Sequence, residues 1–512
     1  MSKVFLSLCL VLFFTLPLFA QSVDTAWVRI YSGSGIGNDW VYGMAVDSSG
    51  NIYVTGQSLG NGTDYDCATI KYDSKGNTLW ERRYNGSVNS EDGAYDLTID
   101  RFGNIYVAGV SVGSGTFYDY LTIKYYPNGD TAWVRRYNGS GNSDDGVNAI
   151  TVDDSGNVYV TGYSEGDGTF GDYVTIKYYF NGDTAWIRRY DGPANFGDGA
   201  FAIAVDDSGN VYATGGTYVN AISSDYATVK YYPNGDTAWI RRYNGPENGL
   251  DVAFDIALDT VGNIYVTGYS EGNGTSGNYV TIQYNPSGDT GWVRRYEGSG
   301  NYDDRVSAIV VDDSGYIYVT GKSYGDGTDY DYATIKYRPN GDTAWLRRYN
   351  GTGNYSDNAN SITVECSGNV YVSGVSYSGL ETDYDYATIK YYPNGDIAWV
   401  RKYNGPANSS DYASKINVDK SGNVYVSGQI YDNGTIYDYA TIKYVQFLRG
   451  DANRDSKVSL ADIVYLINYL FKFGPTPEPN QSGDANCDGK VSLGDIVYLI
   501  NYLFKFGPAP CI

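Results

Sequence analysis

Four short runs of alternating apolar and polar residues follow one another from residue 149, and the same four runs return along most of the chain. Residues 149–152, 157–162, 173–178 and 185–190 each keep a period of two, the pattern of a β-strand that shows different side chains on its two faces. Val158 and Val160 fall on one face, Tyr159 and Thr161 on the other. Turn chemistry separates the runs. In Pro127-Asn128-Gly129-Asp130 the proline presets the first turn position and the glycine supplies a left-handed one, which predicts a tight hairpin, and the motif recurs from Pro233, Pro339 and Pro393.

The aspartate opening the hairpin before the second run stands at Asp47, Asp100, Asp153, Asp206, Asp259 and Asp312, then as Glu365 and again as Asp419; six steps are 53 residues and the last is 54. A fixed period of that length with four strands inside it predicts a propeller blade. Trp27, Trp80, Trp133, Trp186, Trp239, Trp292, Trp345 and Trp399 mark eight fourth strands. The first comes before any first strand, whereas the last third strand, 439–444, has no fourth strand after it. Joining the two ends removes the bare edges of an open sheet. The expected fold is therefore an all-β propeller of eight four-stranded blades over residues 24–444, its N-terminal strand closing the last blade. A seven-bladed ring with one irregular unit is the alternative.

After a short linker, 445–449, the apolar period changes to that of a helix. Ile463, Leu466, Ile467 and Leu470 share one face, as do Ile496, Leu499, Ile500 and Leu503, and Gly474-Pro475 and Gly507-Pro508 end the two segments. Each segment is preceded by oxygen-bearing residues at positions 1, 3, 5, 7, 9 and 12 of a loop, the spacing that wraps a chain around Ca²⁺. The expected ligands are Asp451, Asn453, Asp455, the Lys457 carbonyl, Ser459 and Asp462 in one loop. In the other they are Asp484, Asn486, Asp488, the Lys490 carbonyl, Ser492 and Asp495. Ser456 occupies the sharp turn where glycine is preferred and Gly489 its counterpart, so the first site is expected to be the weaker. The DDSGN turns of the repeats lack such alternating ligands and read as plain hairpin turns.

A formal charge of -23 makes a phosphate backbone an unfavourable partner and favours cations or basic ligands. The chain contains no histidine, which excludes Ser-His-Asp and Cys-His nucleophile sites and His-ligated metals. Residues 1–20 combine Lys3, an apolar run to Leu18 and a small residue at Ala20, which predicts a secretory signal peptide and an exported product; no other segment is apolar enough to span a membrane. Cys487 in the second loop and Cys511 beside the chain end are expected to form a disulfide that clasps the tail.

Eight aspartates stand where an interblade loop enters a first strand: Asp39, Asp92, Asp145, Asp198, Asp251, Asp304, Asp357 and Asp411. A second set opens the third strands, at Asp66, Asp119, Asp172, Asp225, Asp331, Asp385 and Asp438, with Asn278 in the fifth repeat. Two readings are open. One is an acidic rim that gathers cations or a basic ligand, with Tyr65, Tyr118, Tyr302 and Tyr355 placed to stack on sugars. The other is a structural network between these aspartates and arginines such as Arg135-Arg136 and Arg188-Arg189, and strict recurrence favours it.

The motifs GNVYVTG, DYATIKY and NGDTAWVRRY resemble the bacterial family of secreted β-propeller repeats usually described as seven-bladed, and the resemblance spans residues 24–444. The duplicated loop and helix of residues 450–512, with aspartate at position 12 and no helix before the loop, resembles a type I dockerin. That resemblance implies two bound Ca²⁺, a cohesin-like partner and a setting in polysaccharide degradation, with the dockerin as the part that would hold the secreted protein on a cell surface. Positions 10 and 11 are Leu460-Ala461 and Leu493-Gly494, without the Ser/Thr pairs of the best-known cohesin recognition. The combined expectation is a secreted, non-catalytic binding protein whose propeller takes a protein or glycan ligand. The alternatives are a glycoside hydrolase or lyase using propeller carboxylates, and a purely structural surface protein.

Overall fold

The computed structural model describes residues 22–510 apart from 167–169, 273–274, 300–301, 380–382, 433–436, 456 and 506. Residues Thr25–Tyr444 form one compact unit and the chain from Val445 lies in another. The first unit holds eight antiparallel four-stranded sheets. In the third blade the strands are Asp145–Val152, Val158–Glu165, Gly171–Tyr178 and Thr184–Tyr190, paired in chain order. The first strand begins four residues before the alternating run at 149, because a bulge between Val147 and Ala149 breaks the period of two there.

The eighth sheet places Ser22–Tyr31 beside Asp438–Phe447, followed by Val424–Ile430 and Tyr412–Val418. The first strands of successive blades touch one another in order, and that of the eighth blade touches that of the first, so the ring is closed with eight blades. Tyr439 in the last blade donates its hydroxyl hydrogen to the Gln57 carbonyl of the first at 3.2 Å. The same bond runs from Tyr120 to Val174 and from Tyr173 to Ala227 elsewhere in the ring.

Both faces of each sheet are covered by a neighbouring blade, so the second and third strands are buried on both sides; Tyr159 and Val160 alike are out of contact with solvent. The recurrent tryptophan makes the seam between blades. Trp186 lies between Tyr159 of its own blade and Tyr231 of the next, with ring centroids 6.3 and 5.8 Å away, and its indole N–H donates to the Pro233 carbonyl at 3.1 Å. Arg188 stacks over the same indole and donates from Nε to the Gly235 carbonyl at 2.5 Å. Glycine is required at that turn on two counts: its φ is +87°, and a Cβ would come within 2.8 Å of the Trp186 ring. Burial of one such indole stabilises the seam by on the order of 4 kcal/mol as an upper figure.

The hairpin aspartates are turn residues. Asp153 accepts the backbone N–H of Ser155 and of Asn157 at 2.9 Å, and the Tyr159 hydroxyl at 2.9 Å. The first arginine of each pair, represented by Arg188, is thus spent on the next blade's turn and takes no part in the aspartate network.

In the second unit, helices α1 (Leu460–Lys472) and α2 (Leu493–Lys505) pack together around Ala452, Ile463, Leu466, Ala485, Ile496 and Leu499. The two halves mirror each other: a Cβ on Gly450 would meet Leu499 at 3.0 Å and one on Gly483 would meet Leu466 at 3.1 Å. Among the described residues no helix is long and apolar enough to cross a membrane.

Candidate functional site

The aspartates expected on a rim are inside the ring wall. All eight first-strand aspartates, Asp39, Asp92, Asp145, Asp198, Asp251, Asp304, Asp357 and Asp411, are between 0% and 3% exposed. Each accepts the N–H of the glycine six residues earlier, as Asp198 does from Gly192 at 2.6 Å, so the carboxylate pins the interblade loop. Its other oxygen takes the Tyr218 N–H at 2.9 Å, at the end of the second strand. The first-strand aspartates thus lie buried in the wall instead of on an open acidic rim, each pinned to the interblade loop by a backbone N–H.

The second set is buried beside the first and is partnered by the second arginine of the pair. Arg83–Asp66, Arg136–Asp119, Arg189–Asp172, Arg242–Asp225 and Arg348–Asp331 stand 2.8 to 3.0 Å apart. Burial raises the Asp172 and Asp198 carboxyls above their ordinary value, and each lies within the field of other carboxylates at the junction. There Asp172, Asp191 and Asp198 bring carboxylate oxygens within 4.8 Å of one another.

Asymmetry appears along the axis instead, on the innermost strands. The residues thrown out by the bulge are Tyr42, Tyr95, Asn148, Phe201, Phe254, Ser307, Asn360 and Ser414, aromatic in four blades and polar in four. Tyr42 and Tyr95 meet edge to face at 5.4 Å, and Phe201 and Phe254 at 6.1 Å. One residue further on stand Asp96, Asp255 and Lys415, from the second, fifth and eighth blades. Burial pushes the Asp255 carboxyl up to about 6, against the pull of backbone donors and Lys415. Asp96 is raised by the same burial and drawn back first by Lys415. Each carboxylate is held by two backbone N–H groups, Leu97 at 2.9 Å and Ile150 at 3.1 Å for Asp96, Ile256 and Ile309 at 2.8 Å for Asp255. Sequence reading missed this trio because a bulge hides which side chains face the axis.

Aromatic pairs recur at the loop ends of the last three blades. Tyr302 and Tyr324 lie 4.0 Å apart, Tyr355 and Tyr377 4.3 Å, and Tyr384 stacks on Tyr412 at 6.3 Å. Tyr302 and Tyr355 are exposed. Tyr65 is stacked on Trp40 at 5.1 Å, and the Tyr118 hydroxyl is taken by Glu91 at 2.5 Å.

In the second unit the first loop gathers Asp451, Asp455 and Asp462, whose carboxylate oxygens lie within 4.8 Å of one another. Asp462 is buried at the start of α1, accepting from Asn453 N at 3.1 Å and Ser459 N at 2.8 Å. Three clustered carboxylates with oxygen-only neighbours fit a hard divalent cation such as Ca²⁺. Asn453 Oδ1 accepts from Asp455 N at 2.9 Å, Lys457 N donates to Asp455 at 3.0 Å, and the Ser459 hydroxyl caps α1 through Ala461 N at 3.1 Å. The second loop repeats these bonds, from Asn486 to Asp495, from Asp488 to Asn486, from Lys490 to Asp488, and from Gly494 to Ser492. Asp484 differs in being ion-paired to Arg449 at 3.2 Å. Ser456 lies outside the described residues, as do residues 1–20 and Cys511. Cys487 is disulfide-bonded, whereas Cys67 and Cys366 are free.

The fold and the loops together define a closed eight-bladed propeller followed by a small helical module with an acidic cation loop. Residues 449–504 match the Dockerin type I domain, and residues 26–63, 132–168, 238–274 and 291–327 match the Beta-propeller repeat. The chain is thus built of β-propeller repeats with a type I dockerin domain at its C-terminus. A dockerin implies calcium-dependent attachment to a cohesin. No curated protein matches the chain. Similar solved structures include a eukaryotic initiation factor, at 9% identity over 70% of this chain and 78% of that one, with a TM-score of 0.40. A putative gluconolactonase is 12% identical over 54% and 85%, TM-score 0.28, and a protein of unknown function from Dyadobacter fermentans is 10% identical over 58% and 93%, TM-score 0.34.

Proposed function

We propose that this is a secreted, non-catalytic binding protein whose propeller mouth takes a glycan or protein ligand, and whose dockerin attaches it through two Ca²⁺ to a cohesin-like partner in a polysaccharide-degrading setting. The observation that carries this reading is the break in symmetry at the mouth: seven or eight near-identical copies form the wall, while the axis-facing and mouth-facing positions differ from blade to blade. A binding surface needs such differences, because a repeated surface offers the same contacts everywhere. The carboxylates Asp96 and Asp255 are each anchored by two backbone N–H groups, an arrangement that suits a structural role on the inner strands.

The docking surface lies on the two helices. Leu460 and Val464 on α1 and Leu493 and Val497 on α2 are exposed one helical turn apart, and Phe471 on α1 and Phe504 on α2 are exposed about two turns further on. Two equivalent apolar stripes of this kind suit a protein partner. Probing the full-length chain against a glycan array and a panel of cohesins, each with Ca²⁺ and with chelator, tests the reading. Cohesin capture that chelator abolishes, with glycan binding that chelator spares, is expected. Capture that ignores chelator, or a propeller that retains no glycan or protein, would overturn it.

A further inference from the structure

In the sixth blade the first strand Arg305–Val311 and the second strand Ile317–Tyr324 place Arg305 directly opposite Lys322. Two cations facing each other across a strand pair repel, and such pairs destabilise a sheet. The other blades put uncharged residues here: Trp40 faces Gln57, Val252 faces Tyr269, Asn358 faces Val375 and Tyr412 faces Gln429. In a chain with a formal charge of -23 the juxtaposition is a local exception. Two carboxylates partly offset it: Asp303 stands 3.8 Å from Arg305, and Asp303 and Asp329 both act on Lys322. Burial, and then the field of Arg305, hold the Lys322 ammonium below its ordinary value.

The pair borders a cavity of about 440 Å³ lined by Phe254, Arg305, Val306, Ser307, Lys322, Asn358 and Asn360. Its volume is that of a small-ligand site, with one aromatic wall and a few convergent polar groups. The guanidinium presents two parallel donors suited to a carboxylate, and Lys322 adds a point charge. Asn358 carries an amide able to bond a hydroxyl group, and Asn360, which donates to the Ala413 carbonyl at 2.8 Å, keeps its amide oxygen as an acceptor. Lys322 lies over Tyr330 at 4.5 Å, Tyr330 meets Tyr324 at 5.6 Å, and Tyr324 meets the exposed Tyr302 at 4.0 Å, so aromatic faces lead away from the charged pair.

We infer that this pocket binds an acidic sugar unit of a polysaccharide, its carboxylate seated between Arg305 and Lys322 and the rest of the chain running over the tyrosines. The inference rests on the proposal that the mouth is a binding face, and names the ligand class. Aromatic faces and amides beside the cations favour a uronate over an acidic peptide, whose carboxylates need no such platform. A bound carboxylate also removes the repulsion between the two cations, so ligand binding and blade stability are coupled.

The test is calorimetric titration of the full-length protein with an oligogalacturonate, its carboxyl-reduced neutral counterpart, poly-glutamate and inorganic phosphate. The acidic oligosaccharide is expected to bind roughly tenfold or more tighter than the neutral one, and to lose that advantage in Arg305→Gln and in Lys322→Gln. Both variants are expected to melt no lower than the parent in the absence of ligand, which separates lost binding from lost folding. Equal affinity for the acidic and neutral oligosaccharides overturns the inference while leaving the binding face in place. Preference for poly-glutamate or phosphate overturns the sugar assignment, and an affinity unchanged in both variants overturns the pocket.

Discussion

Trp27 donates its indole N–H to the Ser74 carbonyl at 3.2 Å, just as Trp80 donates to Pro127 at 3.1 Å, and the two pairs are each 47 residues apart in sequence. The strand that completes the eighth blade therefore joins the first blade by the bond that Trp80, Trp133, Trp186, Trp239, Trp292 and Trp345 make at six other seams. Closure adds one more copy of an existing interface, with no special lock.

Trp27→Ala removes that copy. The indole lies between Tyr72 and Tyr425, with centroids 6.3 Å from each, so its loss opens a void between the last blade and the first. A destabilisation of about 3 kcal/mol is expected, comparable to Trp186→Ala inside the ring. Differential scanning calorimetry of both variants checks it, and a Trp27 variant that melts like the parent would show that the N-terminal strand does not close the ring.

Arg189→Met leaves Asp172 buried without its 2.8 Å partner and beside Asp198. Breaking a buried pair from one side exposes the cost of the remaining charge, and a loss of roughly 2–4 kcal/mol is expected. Adding Asp172→Asn should recover part of it. Denaturant unfolding of the single and double variants measures the difference; no recovery in the double variant would argue that Arg189 acts through packing alone.

The channel trio gives a pH dependence with a definite sign. Asp255 has its carboxyl raised from 3.8 to about 6, so the folded state takes up the proton first and stability falls as pH rises through that window. Lys415→Met removes the cation that draws Asp96 and Asp255 back down. The variant is expected to lose more thermal stability at about pH 8 than at about pH 5, since at the lower pH the Asp255 carboxyl is already largely protonated. An equal drop at both values would remove Lys415 from the balance.

Calcium is expected to couple to the helical module. Chelation should reduce the far-UV helical signal of the full chain and leave its β signal unchanged, and Asp462→Ala should abolish the response of the first loop, because Asp462 joins the cation cluster to the start of α1. Calcium titration of the parent and of Asp462→Ala and Asp495→Ala counts the sites one by one. Identical titrations in all three proteins would contradict the ligand assignment.

Thiol chemistry tests the proposed clasp between Cys487 and Cys511. Burial pushes the Cys67 thiol up to about 12, whereas Cys366 is exposed, so one thiol is expected to react in the native protein. In protein lacking residues 1–20, denaturation without reductant should reveal a second thiol and no more.

The repeat length, the eight tryptophans, the turn glycines and the duplicated acidic loops were legible in the sequence because each works through near neighbours. Asp153 bonds residues two, four and six positions on, and Asp462 closes its loop over nine. Even the closure of the ring could be read, from an unmatched strand at either end. The meaning of the acidic positions could not. Asp39 and Asp198 look like surface charges until the blades come together and bury them against backbone donors, and the alternation that marks a strand says nothing about what covers it.

The amino-acid order by itself settled which pieces exist: a strand quartet repeated at a fixed spacing, and a loop-helix pair repeated at another, each written in local hydrogen-bonding and apolar periodicity. Only tertiary structure decided what faces the axis and the mouth. Asp96, Asp255 and Lys415 come from blades far apart in the chain and share an electrostatic field because the ring closes, at positions next to a bulge that breaks the period of two. Arg305 and Lys322 become a repelling pair through strand register alone, since the sixteen positions between them carry no mark of which residue will lie opposite which.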